Sequence, residues 1–111
     1  MKQKRLENIT SFLTIQDAFI DIGTDHAYIP IHMAKKGCQN ILATDIHPKA
    51  LEIAKKNIAK EHLENQIKTV VADGLKKIDT QNYDTLVIAG MGASTIIKIL
   101  SLFLNFLKSS S

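Results

Sequence analysis

With 111 residues the chain is sized for one small domain, and 45% hydrophobic with 23% charged residues is the balance of an ordinary globular fold, not a disordered or fibrous one. A single cysteine, Cys38, excludes an internal disulfide and a thiolate zinc cluster, and reads as a small buried hydrophobe. The net charge of +3 is mild; the lysines at 35–36, 55–56, 60 and 76–77 fit solvated helix faces or a weak footprint for an anionic partner such as RNA.

The opening Met-Lys-Gln-Lys-Arg-Leu-Glu is charged and amphipathic, unlike a secretion signal, and a cytosolic location is expected. Residues 4–13 form a helix candidate, with Leu6, Ile9 and Leu13 at helical spacing. A first strand is predicted over 18–22. Pro30 suits the first turn of the next helix, and Gly37 the position just past its end. Residues 41–44 are a second strand. Pro48 then opens a helix reaching about residue 61, with Leu51, Ala54 and Ile58 on one face. Residues 67–72 and 85–89 are a third and a fourth strand, rich in β-branched or apolar side chains.

Apolar strands alternating with helices predict an α/β fold, with a parallel sheet covered on both faces. Every strand then ends on one edge, where open sheets bind their ligands. A last helix is expected over 93–108, with Ser109, Ser110 and Ser111 as a frayed tail, so the domain occupies 1–108. That helix would be apolar almost all round, from Ile96 to Leu107, which implies self-association through it or a fold that continues further. Lys98 and Asn105 interrupt the run, which is too short to span a membrane.

The predicted strand ends gather the chemistry. Asp21 closes the first strand, and Gly23 lies where the backbone turns beneath a ligand. A dinucleotide motif would read G-x-G-x-x-G, but its second and third glycine positions hold Asp25 and Tyr28. A carboxylate there repels a pyrophosphate and tolerates the sulfonium and ammonium of S-adenosylmethionine. Asp45, followed by Ile46, can accept ribose hydroxyls or cap the helix at Pro48. Asp73 can accept the adenine amino group, with Gly74 allowing close approach, or be a plain turn residue. Gly90, Met91 and Gly92 can floor a pocket, or simply turn the chain. Asp25 and His26 are the catalytic candidates; otherwise Asp25 bonds its own turn and His26 packs on Tyr28. His32, His47 and His62 lack a metal-ligand spacing and fit helix surfaces or caps.

Asp21-Ile-Gly-Thr-Asp-His-Ala-Tyr-Ile-Pro30, Ala72-Asp-Gly-Leu75 and Ile88-Ala-Gly-Met-Gly92 resemble, in order and spacing, the bacterial tRNA (adenine-22, N1)-methyltransferase family. Lys4-Arg5-Leu6 resembles that family's helical start. The resemblance implies a Rossmann-like, S-adenosylmethionine-dependent methyltransferase acting on adenine N1 in tRNA. Its cofactor site would comprise Asp21, Gly23, Asp45, Ile46, Asp73, Gly74 and Gly90 to Gly92. Asp25 and His26 would face the target adenine, and Arg5 would contact tRNA. Family members continue into further strands, a Pro-Asn-containing motif and a helical extension. The resemblance therefore implies a sheet cut after its fourth strand, and a truncated cofactor- or partner-binding module as the alternative function.

Overall fold

The computed structural model describes residues 2–90 and 93–98, with 89, 90 and 93–98 described by their backbone. Helix α1 spans Gln3–Thr10 and turns Ile9 and Thr10 inward. It ends earlier than its periodicity suggested, and a following turn, Leu13 N–H to Thr10 O at 3.0 Å, delivers Leu13 to the core. Strand β1 (Phe19–Ile22) leads to α2 (Tyr28–Lys35), β2 (Ile41–Asp45), α3 (Pro48–Lys60) and β3 (Ile67–Val71). Strands β4 (Thr85–Gly90) and β5 (Ala93–Lys98) follow.

Helix ends obey two related devices. After α2, Gly37 takes φ +116° while Cys38 N–H reaches Met33 O (3.1 Å) and Gly37 N–H reaches Ala34 O (3.0 Å), a Schellman closure. Helix α3 closes the same way, but its left-handed residue is His62 (φ +59°), with Leu63 N–H on Ile58 O at 3.1 Å. Pro48 sits at the start of α3, where its missing N–H costs no hydrogen bond.

The sheet order is β3-β2-β1-β4-β5. β1 pairs in parallel with both β2 and β4, and β2 with β3. The chain moves outward from β1 to β3 through α2 and α3, then returns past β1 to β4. The reversal makes the C-terminal ends of β1 and β4 a topological switch point, where open α/β sheets leave a crevice.

One face of the sheet is closed by helices: Phe19, Ile41, Ala43, Ile67 and Val87 pack with Ile9, Met33, Leu51, Ala54 and Ile58. The other carries Ile20, Leu42 and Leu86 against Leu75, Ile78 and Tyr83 from the β3–β4 connection. Coverage of that second face is incomplete among the described residues, with Ile88 43% and Val70 38% exposed. Among the described residues, helices cover one face of the sheet as expected from the apolar strands, and the β3–β4 connection lies on the other.

The helix predicted over 93–108 is corrected over its first part. Ala93–Lys98 is a strand antiparallel to β4, from Gly90↔Ala93 to Thr85↔Lys98. A short apolar run has no period that separates a strand from a buried helix. Here the run is β-branched at Thr95, Ile96 and Ile97, and it satisfies the free backbone groups along the edge of β4. Self-association through an apolar helix from Ile96 to Leu107 loses its premise over 96–98, and 99–107 lie outside the described residues. Among those described, no helix is long and apolar enough to cross a membrane.

Candidate functional site at the sheet edge

The loop after β1 is built from left-handed residues in alternation: Gly23 (φ +73°), Asp25 (+56°) and Ala27 (+64°). Asparagine and aspartate tolerate this region better than most side chains, whereas Ala27 has no such help. Tertiary bonds hold the loop there. Thr24 N–H donates to Thr44 O (2.8 Å), and its hydroxyl donates to Asp21 Oδ2 (2.7 Å). Asp25 N–H donates to Asp45 Oδ2 (3.0 Å), and Asn57 Nδ2 of α3 donates to the His26 carbonyl (2.9 Å).

Asp45 is the hub. Its carboxylate, 7% exposed, also accepts the His47 N–H and the His47 ring Nδ1 on Oδ1, both at 3.0 Å. Its backbone carbonyl accepts Ala72 N–H (3.0 Å), which ties the end of β3 to the same point. Burial works to raise the Asp45 pKa, but the bonds from His47 and Asp25 outweigh it and hold the group below the usual carboxylate range. Asp21 goes the other way: burial, 2% exposed, pushes it up to about 7. The Thr24 bond pulls it down and the Asp45 charge adds to the rise. Two neighbouring carboxylates are thus driven apart, Asp45 toward its ionised form and Asp21 toward its protonated one.

Asp25 and His26 meet each other directly, with His26 Nδ1 2.9 Å from Asp25 Oδ2. The Asp25 side chain is 68% exposed. The His26 ring also stacks on Tyr28, centroids 5.3 Å apart and planes within 16°, so its packing alternative is realised alongside the Asp25 contact. Asp73 is exposed, with Oδ2 3.5 Å from Lys76 Nζ, and its carbonyl accepts Lys76 N–H (3.2 Å) in a turn. Gly74 has φ +60°. Ile46 is 53% exposed beside Asp45. Gly90 ends β4, while Met91 and Gly92 lie outside the described residues. Arg5 lies exposed on α1.

A β-carbon at Gly23 or Gly74 would meet nothing within 4 Å, so both present bare left-handed backbone to open space. With Asp25, Asp45 and Asp73 at one edge and Asp21 buried beneath them, the acceptors suit a ligand carrying hydroxyls and positive charge, and oppose a pyrophosphate. Sequence reasoning missed Thr24, Thr44, His47 and Asn57 as builders of this edge. Asn57 alone left a trace, as a poor helix former inside an otherwise regular helix.

A family model described as a methyltransferase domain matches residues 2–110. The tRNA (adenine(22)-N(1))-methyltransferase of Bacillus subtilis is 32% identical over 87% of the chain, which spans 41% of that protein. The ribosomal protein L11 methyltransferase of Staphylococcus haemolyticus is 34% identical over 82% of the chain and 28% of its own length. The solved structure of M. capricolum TrmK with S-adenosyl-homocysteine superposes with a TM-score of 0.73 and 36% identity, over 81% of this chain and 42% of that one. The chain thus spans less than half the length of each of these relatives.

Proposed function

Since the chain belongs to the methyltransferase-domain family, we propose that it binds S-adenosylmethionine at the C-terminal edge of its sheet and serves methyl transfer to adenine N1 in tRNA. The observation that carries this reading is the buried, ionised Asp45 at an edge where Gly23 and Gly74 leave open space. The cofactor product held by M. capricolum TrmK and the substrate named for the B. subtilis relative support it.

When bound, S-adenosylmethionine supplies an electrophilic methyl group on a sulfonium. Asp45 would hold the ribose. A carboxylate offers about four acceptor sites, and Asp25 N–H, His47 N–H and the His47 ring already occupy Asp45. The His47 ring is 78% exposed and is the donor that a ribose can displace. Ile46 would give an apolar face to the adenine, and Asp73 an acceptor for its amino group beside Gly74. Asp21 sits beneath, where it holds Thr24 and so the shape of the loop, and the Gly90 to Gly92 turn would complete the pocket.

Asp25 and His26 would face the substrate base. An adenine ring becomes cationic when N1 is alkylated, and the Asp25 carboxylate is placed to stabilise charge that develops only then. The rest of the acceleration would come from positioning. The target adenosine must be unpaired, because N1 is engaged in a duplex. Arg5 would add a contact to tRNA from α1. A cytosolic location follows from such a substrate.

The decisive experiment is methyl transfer by this 111-residue chain to unmodified tRNA, with the modified base mapped and ribosomal protein L11 as the competing acceptor. Methylation of L11 and not of tRNA would overturn the substrate; neither product, with S-adenosylmethionine still bound, would leave a cofactor-binding module. Asp25→Asn keeps both shape and tolerance of the left-handed backbone. It should lower turnover on the order of 100-fold with cofactor affinity unchanged; unchanged turnover would sink the Asp25 role.

A further inference from the structure

A concavity lies on the helical side, where α1, α2 and α3 meet the β1 loop. It is a cleft of about 470 Å³ whose wall includes Gln3, His26, Tyr28, His32, Asn57 and Lys60. That volume falls in the roughly 300–1,000 Å³ range of small-ligand sites. Its chemistry is specific. Tyr28 is 40% exposed and stacks on His26, so the pair forms a partly exposed aromatic platform on the cleft wall. Gln3 and Asn57 spend their amide nitrogens on Glu7 Oε1 and the His26 carbonyl, both within the chain, and keep carboxamide oxygens as acceptors. His32 adds a buried ring nitrogen, Nε2, with no hydrogen-bond partner.

The charge in the cleft is also divided. Lys35 is matched by Glu61 at 3.2 Å, whereas Lys60 has no carboxylate within 4.0 Å among the described residues. An aromatic platform, amide acceptors and one unmatched cation together suit an unstacked nucleotide: a base for the rings, a phosphate for the lysine. The His26 ring joins this cleft to the edge described above, since its Nδ1 contacts Asp25 while its face contacts Tyr28.

We propose that this cleft docks an RNA nucleotide flanking the target base, stacked on the His26–Tyr28 pair with its phosphate on Lys60. The inference rests on the RNA-substrate reading above and adds a second contact point to it. Docking there holds the neighbouring base at Asp25 while the S-adenosylmethionine edge stays free.

The test uses the full chain, a fluorescein-labelled unmodified tRNA and anisotropy titrations at several salt concentrations, with calorimetry on S-adenosyl-homocysteine in parallel. Lys60→Gln should weaken tRNA binding several-fold and flatten the logarithmic salt slope by about 0.7. Tyr28→Leu should weaken it at least about fivefold and Tyr28→Phe should restore it, as stacking requires. All three should bind S-adenosyl-homocysteine like the parent, which reports an intact fold. Parent-like tRNA affinity and salt slope in both Lys60→Gln and Tyr28→Leu would overturn the cleft and leave the RNA reading standing. A parent chain that binds S-adenosyl-homocysteine but no tRNA would overturn the RNA reading, and the cleft with it.

Discussion

The loops that follow β1 and β3 end at the same edge of the sheet, yet they are held in opposite ways. The β1 loop is tied to β2, α3 and the end of β1 by Thr24, Asp25, Asn57 and Asp45, and it keeps two non-glycine residues left-handed. The β3 loop carries its aspartate, Asp73, in solvent beside Lys76 and has one such residue, Lys77 (φ +61°). Buried polar bonds thus hold the strained backbone of the β1 loop, whereas the β3 loop is anchored by apolar packing of Leu75, Ile78 and Tyr83 and leaves Asp73 in solvent. A β1 loop held in this way suits the placement of reacting groups.

The largest way to break this contrast is through Asp21. Its pKa is raised from 3.8 to about 7, so the folded state binds more protons than the unfolded one between those values. The resulting stabilisation is full below about pH 4 and is lost as pH rises through 7, at most about 4 kcal/mol. Asp21→Asn, which keeps an acceptor for Thr24, should flatten the decline; urea unfolding at pH 4.5 and 7.5 measures it, and an equal decline in both proteins would refute the buried-acid assignment. Asp45, with its pKa lowered, contributes in the opposite sense, and its share is lost as pH falls below its usual range.

Asp45→Ala comes next. It strands the Asp25 and His47 N–H groups, and a loss of about 3 kcal/mol with abolished S-adenosyl-homocysteine binding is expected from denaturation and calorimetry. Retained binding would remove Asp45 from the site. Lys77→Gly should stabilise by about 1 kcal/mol with no effect on cofactor affinity, because it relieves the left-handed backbone in the loose loop. The smallest effect is Asp73→Ala. It should change stability by less than about 0.5 kcal/mol, since its ion pair is exposed, and weaken cofactor binding a few-fold. A larger stability loss would mean that the two loops are not so different.

Much of this was legible in the chain. Period, proline and glycine placed α2, α3 and the four parallel strands to within a residue or two, because those signals act locally. The aspartates and glycines of the candidate edge were legible as well, since parallel strands must end together, but Thr24, Thr44 and Asn57, which hold them in place, were not. His47 and His62 stand at the two ends of α3, as their fit to helix surfaces or caps implied, but the left-handed backbone of His62 and the bond from the His47 ring to Asp45 left no such trace. Both are local, but composition and periodicity do not specify them.

Which groups reach the sheet edge follows from the chain alone: apolar, β-branched runs and turn residues set the strands, and strand polarity does the rest. Tertiary structure alone decided three things. It set the fate of 93–98, because an apolar β-branched run becomes strand or helix according to the partner it finds, and here the open edge of β4 was that partner. It divided the roles of Asp21 and Asp45, because a carboxylate's charge depends on how many donors surround it once water is gone. And it formed the cleft beside His26, from three helices that no local pattern brings together.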